Sequence, residues 1–357
     1  MKNIKFILKL ILLLAPIWIT MIYTAVYPFG YMDIEYPAWK YTKEVTKDAV
    51  KAYVDSASAS SDGPTAVFIA GKSSPEGDSL DSKAAFASSQ TLILGDSRAM
   101  ADFVPALFDS NVVNLAVGGA TSIEMYYTLN DYIKNNGVPS EVVIMFAPFH
   151  YSIIDNFWQR TVYFNYLSVN DLKEVYSLAK ASESETLLTK GYQNDLLSYR
   201  LRFPDKYLPA LINSKLIGRK NENSTTYIEI ERNLGYGAFG TADGCSDLNY
   251  ETGYEKMHTT GDALLIDIYM NKLLELCSKQ GIKTQVLIPP MNESSVNALN
   301  PSYLQSINSY FEDLILKYPS IDINPEIPCY EDMYFGDASH LNNKGAIKFT
   351  TEYIQNN

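Results

Sequence analysis

Two hydrophobic patterns divide the chain. Residues 10–26, LILLLAPIWITMIYTAV, carry no charge, and with residues 6–8 and Tyr27 the apolar stretch reaches the roughly 20 residues that cross a bilayer core as a helix. From residue 91 onward, short apolar runs alternate with helix-length periodic segments, the pattern of parallel strands joined by crossover helices. The runs 91–94 (TLIL), 112–117 (VVNLAV), 141–147 (EVVIMFA), 284–288 (TQVLI) and 321–323 (IDI) predict strands. They lack strict alternation, as strands covered on both faces do. Residues 122–135, 262–280, 301–318 and 343–354 predict helices; within 262–280, Leu264, Leu265, Ile268, Leu273, Leu274 and Cys277 fall near one stripe. The expected architecture over residues 91–357 is a three-layer α/β domain, a parallel sheet with flanking helices.

Two segments depart from that rhythm. Residues 32–90 read as a stalk or linker: 39–54 (WKYTKEVTKDAVKAYV) suits a polar-faced helix standing off the membrane, 65–70 (TAVFIA) a short strand, and 56–64 and 71–90 are rich in Ser, Gly and Asp. Residues 151–257 form an aromatic-rich insertion, with FWQRTVYFNYL near its start and NLGYGAFG near its end. Ligands of open parallel sheets bind beyond the carboxyl ends of the strands. An insertion leaving the end of the third strand is therefore either a wall or lid of the site or a peripheral structural subdomain.

Charge fixes the expected orientation of residues 1–31 as a single-pass anchor. Lys2, Lys5 and Lys9 all precede the apolar centre, which keeps the N-terminus in the cytoplasm and sends the rest of the chain outward; Tyr23, Tyr27 and Tyr31 suit the far interface. A cleaved signal peptide is the rival reading, although the apolar run exceeds a typical signal core and no clear small-x-small site follows it. The net charge of -12 argues against a nucleic-acid partner. Three cysteines are too few for a disulfide scaffold; if any pair forms, Cys245 with Cys329 is favoured, because Cys277 lies within a helical pattern. No CxxC, His-rich cluster or nucleotide fingerprint points to a metal or another cofactor.

The chemistry-bearing residues stand at the two ends of the α/β region. Ser97 follows the first strand in Gly95-Asp96-Ser97, which brings its hydroxyl out at the carboxyl edge of the sheet. A serine nucleophile needs a base, and the base a carboxylate to orient it. His340 in FGDASHLNNKGA, three residues after Asp337, supplies both; helix capping by Asp337, Ser339, Asn342 and Asn343 is the competing reading. A second Gly-Asp-Ser at 77–79 has no strand before it and carries no weight.

Taken together, Gly95-Asp96-Ser97 after the first strand and Asp337-x-x-His340 before the final helix resemble the SGNH, or GDSL-like, hydrolase superfamily. The resemblance covers roughly residues 91–147 and 262–354 and implies an SGNH/flavodoxin-like sheet. It implies a Ser97-His340-Asp337 triad and an oxyanion hole from the Ser97 and Gly119 N–H groups, Gly119 matching the glycine of the second block within NLAVGGAT. The third block, Gly-x-Asn-Asp, is missing: Pro148-Phe149-His150-Tyr151 stands there, leaving His150, Asn156 and Asn292 as alternative donors. Anchor, insertion and degenerate third block are similar to the envelope-modifying branch, which includes the alginate O-acetylation proteins and DltD. That branch implies an extracytoplasmic serine acyltransferase, or the esterase sharing its acyl-enzyme. It would move acetyl or D-alanyl groups onto a cell-envelope polysaccharide or teichoic acid, with a polytopic membrane-bound O-acyltransferase as partner. Trp158, Tyr163 and Phe164 are then candidates to stack on sugar rings, with burial in the core as the alternative. A reading of another class is a catalytically silent, membrane-tethered glycan-binding or assembly protein on the same scaffold.

Overall fold

The computed structural model describes residues 2–26, 32–51, 87–213 and 219–357. The possible strand at 65–70 and the second Gly-Asp-Ser lie outside them. The N-terminal apolar stretch forms one helix, α1 (Lys2–Val26), whose residues Ile4–Tyr23 are long and apolar enough to span a membrane or to serve as a signal sequence. Next comes α2 (Tyr36–Lys47), followed by β1 (Gln90–Gly95), α3 (Ser97–Asp102), β2 (Asn111–Asn114), α4 (Ser122–Asn136) and β3 (Glu141–Met145). The insertion contributes α5 (Val169–Ser182), α6 (Tyr192–Arg200), α7 (Pro204–Asn213) and α8 (Lys220–Arg232). The sheet rhythm then resumes with α9 (Asp262–Gln280), β4 (Lys283–Leu287), β5 (Met291–Asn292), α10 (Glu293–Ala298) and α11 (Pro301–Lys317). It closes with β6 (Asp322–Ile323), β7 (Cys329–Tyr330) and α12 (Asn343–Asn356).

Among the described residues, five strands form a parallel sheet in the order β2-β1-β3-β4-β6; β5 and β7 pair separately. The chain moves from β1 to β2 in one direction and returns past β1 to β3, so the order reverses between β1 and β3. In such sheets the crevice at the carboxyl ends of the strands flanking that reversal is where ligands bind. All six residues of β1 are buried, consistent with its unbroken apolar run. Each of Leu92, Ile93 and Leu94, removed from water completely, contributes roughly 1.5–3 kcal/mol. The strand expected at 112–117 stops at Asn114. There the side-chain amide turns inward, accepting from Ala116 N (3.1 Å) and donating to Ala99 O (2.9 Å), while Val117 N still reaches Gly95 O (3.2 Å).

Helices flank the sheet in two groups. On one side α4 packs against α9 and α2, and on the other α12 packs against α3. A capping box starts α4, with Glu124 reaching back to Thr121 N (2.9 Å). In α9 the buried stripe is Ala263, Leu265, Ile266, Tyr269, Met270, Leu273, Leu274 and Cys277; Leu264, expected on it, is exposed. The difference arises because α9 meets α4 and the sheet together, so its wide buried face turns through Ile266 and Tyr269 and leaves Leu264 outside.

Two expectations are corrected here. The helix at 36–47 is not a solvated, free-standing element: Trp39, Tyr41 and Val45 are buried against α4 and α8, and Asn136 takes Ala49 N at 2.9 Å. The polar residues that suggested a solvated stalk occupy its other face. Cys245, Cys277 and Cys329 are all free thiols, so the favoured pair does not form.

Candidate active site

Gly95 closes β1 because nothing larger fits: a Cβ there would run into the Met145 carbonyl and stand 2.6 Å from Ala99 Cβ. This close approach of β1 to β3 forces the chain to turn at once. Asp96 makes the turn, accepting from Arg98 N at 2.9 Å to cap α3, and Ser97 becomes the first residue of that helix. Its hydroxyl stands at the carboxyl end of the sheet, half-buried and within reach of solvent.

His340 arrives from the far end of the chain. Its Nε2 lies 2.8 Å from Ser97 Oγ, and its Nδ1 lies 2.9 and 3.0 Å from the two carboxylate oxygens of Asp337. With the proton on Nδ1 directed at Asp337, Nε2 is left to accept from the serine hydroxyl. Asp337 Oδ1 also takes the backbone N–H groups of Ser339 and His340, both at 2.8 Å, which makes the Asp-x-x-His turn rigid. Burial pushes the Asp337 carboxyl up; the His340 ring and those two N–H groups outweigh it and hold the group below the usual aspartate range. Capping and orientation are thus both present, on different residues: Asn342 caps α12 through Lys344 N and Gly345 N, each at 3.1 Å.

The insertion walls this line. Phe239 stacks on the His340 ring, centroids 4.7 Å apart and planes 18° from parallel, and Ala242 N donates to Gly336 O at 3.4 Å. Leu234 O accepts from Asn114 N (2.8 Å), tying the same segment to the end of β2. Of the two roles open to residues 151–257, the 234–242 segment takes that of a wall.

Gly119 follows β2 with φ +74, a conformation that favours glycine. Asn156 Nδ2 lies 3.5 Å from where its Cβ would stand. The other two candidate donors point elsewhere. His150 is buried with Nδ1 on Asp96 Oδ2 (2.6 Å), and Asn292 caps α10 and donates to Cys245 O and Asp247 O at 3.1 and 3.0 Å. The proposed sugar platform is also absent: Trp158, Tyr163 and Phe164 are each at most 7% exposed. Trp158 Nε1 donates to Thr186 O (2.9 Å), and Phe164 packs edge-on to Trp39. Their clustering in sequence reflects the core of the insertion.

Sequence reasoning missed the layer beneath the triad. Arg98 pairs with Glu251 at 2.5 Å, both fully enclosed, and Glu251 also takes Phe149 N (3.4 Å). Burial lowers the Arg98 guanidinium, while Glu251 and then Asp96 overcome it and keep the charge in place. Asp102, the buried last residue of α3, has one carboxylate oxygen without a partner among the described residues; burial drives its carboxyl far above the usual range despite Arg98. Glu35 and Arg160 stand over Gly118. The only local signal for any of these was a charged residue within an apolar or aromatic run.

A hydroxyl held on an imidazole that is itself held on a carboxylate can be activated for attack on an acyl carbon, and the same imidazole can return the proton to the leaving group. The chain matches no protein-family model, no curated protein and no solved structure.

Proposed function

We propose that the protein is an SGNH-type serine acyltransferase or esterase that works outside the membrane. Ser97 takes an acyl group from an ester donor, with His340 as base and then acid and Asp337 as the carboxylate that orients it. A hydroxyl of an envelope polysaccharide or teichoic acid then attacks the acyl-enzyme in transfer, and water attacks it in hydrolysis. The single observation that carries this reading is the 2.8 Å contact of Ser97 Oγ with His340 Nε2 across 243 residues of sequence. Further support comes from the sheet order, which is that of flavodoxin-like folds, and from the place of the triad at its carboxyl edge. Acetyl or D-alanyl as the acyl group, and a polytopic membrane-bound O-acyltransferase as the donor's source, follow from the resemblance noted in the sequence.

The test uses the full-length chain in detergent with a fluorophosphonate probe and a small acetyl ester. Ser97 is expected to label and the ester to turn over, both lost in Ser97→Ala. Folded wild-type protein that neither labels nor turns over the ester would instead be a binding or assembly protein. Equal turnover by Ser97→Ala removes Ser97 from the mechanism.

A further inference from the structure

The peptide joining Gly118 to Gly119 is planar and trans, so its C=O and N–H point in opposite directions. Arg160 Nη1 donates to the Gly118 carbonyl at 2.7 Å. By holding the carbonyl, the guanidinium fixes the direction in which the Gly119 N–H faces. That N–H has no backbone acceptor among the described residues.

Arg160 is placed there by an unusual piece of backbone. It belongs to a π-helical turn, Phe157–Val162, entered through Asn156 in the left-handed conformation at φ 55. Wide turns and left-handed non-glycine residues are costly and concentrate at functional sites. The same turn sets Arg160 Nη1 2.8 Å from where a Gly119 Cβ would be. On the other side of the guanidinium is Glu35, just ahead of α2. One of its oxygens closes on Gly118, and Oε1 lies 3.8 Å from Arg160 Nη2. Burial pushes the Glu35 carboxyl up, Arg160 draws it back, Asp33 adds to the rise, and the His340 ring is near enough to lower it too.

We infer that Arg160 is a positioning residue that presents the Gly119 N–H as an oxyanion donor, and that Glu35 steadies it. The segment after the apolar helix is then part of the catalytic apparatus. This rests on the serine chemistry proposed above. Arg160 acts on the peptide and not on the substrate, so its loss frees the peptide to rotate and withdraws a donor when negative charge develops on the acyl oxygen. The effect belongs in kcat and leaves KM nearly alone.

The experiment measures ester turnover and the rate of Ser97 labelling in full-length Arg160→Ala, Arg160→Lys and Glu35→Gln. Arg160→Ala is expected to lose about 10²–10³ in kcat, the effect of removing one oxyanion donor. Its KM should stay within about threefold, and added methylguanidinium should restore part of the rate. Arg160→Lys, which keeps one donor for the carbonyl, should retain more activity, and Glu35→Gln should lose less than Arg160→Ala. Thermal unfolding shows whether each variant folds; should Arg160→Ala fail to fold, Arg160→Lys and Glu35→Gln decide. Wild-type activity with unchanged kcat in the folded variants overturns this inference and leaves the serine mechanism standing. Wild-type protein inert to probe and ester overturns both.

Discussion

Asp96 and His150 meet at 2.6 Å in a buried contact that joins the end of β1 to the chain just beyond β3. The same carboxylate takes Ala147 N (2.7 Å) and caps α3, so the residue beside Ser97 ties the start of α3 to the chain beyond β3. At the position where the resemblance seen in the sequence implied an oxyanion donor, the histidine instead holds Asp96, the residue next to Ser97.

Replacing His150 with Phe should therefore destabilise the fold by about 3–5 kcal/mol, the usual cost of leaving a buried charge without its partner. Burial raises the Asp96 carboxyl, and His150, Arg98 and the Ala147 N–H together pull it below its ordinary value. A carboxyl depressed by folding contributes stability above its unfolded pKa of about 3.9 and loses that contribution as pH falls through the folded one. Urea unfolding of wild type and His150→Phe should thus give a gap that is full near neutrality and closes below about pH 4. A gap unchanged down to acid would mean that His150 acts through packing alone.

Asp102 predicts the opposite pH trend. Its carboxyl is raised by burial, so between the unfolded value of about 3.9 and the folded one the native state binds the extra proton, and stability falls as pH rises. Asp102→Asn copies the protonated form. It should match wild type at pH 4 and become the more stable protein above it, by up to about 1.4 kcal/mol per pH unit until the folded value is passed. Parallel stability profiles for the two proteins would refute the assignment.

The Ser97–His340–Asp337 line was legible because both of its ends carry local marks: an apolar run ending in Gly-Asp-Ser, and Asp-x-x-His ahead of an amphipathic helix. Parallel strands were legible for a similar reason, since burial on both faces leaves unbroken apolar runs such as TLIL. What stayed hidden depends on partners far apart in the chain. Arg98 and Glu251 are separated by 153 residues and share no period. Aromatic content gave no direction: Trp158 and Phe164 would look the same in sequence whether exposed to sugar or closed against Thr186 and Trp39. The polar residues of α2 suggested a solvated stalk because its partner, α4, lies about ninety positions away in the chain.

Asp337→Asn should keep the fold and lose about 10²–10⁴ in turnover, because the amide no longer favours the Nδ1–H form of His340 that leaves Nε2 as acceptor. Labelling of Ser97 by the fluorophosphonate should slow in parallel. If labelling holds at the wild-type rate while the ester reaction collapses, the aspartate has a role other than orienting the imidazole.

Cys329 tests the outward placement of the domain, since it is an exposed thiol and Cys277 is buried in α9. In intact cells a membrane-impermeant maleimide is expected to modify Cys329 and the partly exposed Cys245 and to spare Cys277, with the Cys245→Ser/Cys329→Ser double variant abolishing that signal. Labelling that appears only after lysis would put the domain on the cytoplasmic side.

Gly119→Ala separates backbone strain from the placement of Arg160. At φ +74 a side chain costs roughly 1–2 kcal/mol, and the new Cβ would stand 2.8 Å from Arg160 Nη1, so the guanidinium must give way. If Arg160 acts by holding the Gly118–Gly119 peptide, displacing it should reproduce much of the kcat loss of Arg160→Ala. Combining the two substitutions should then add little, because the second removes an interaction already broken. Losses that multiply in the double variant would show that glycine and arginine act on the reaction by separate routes.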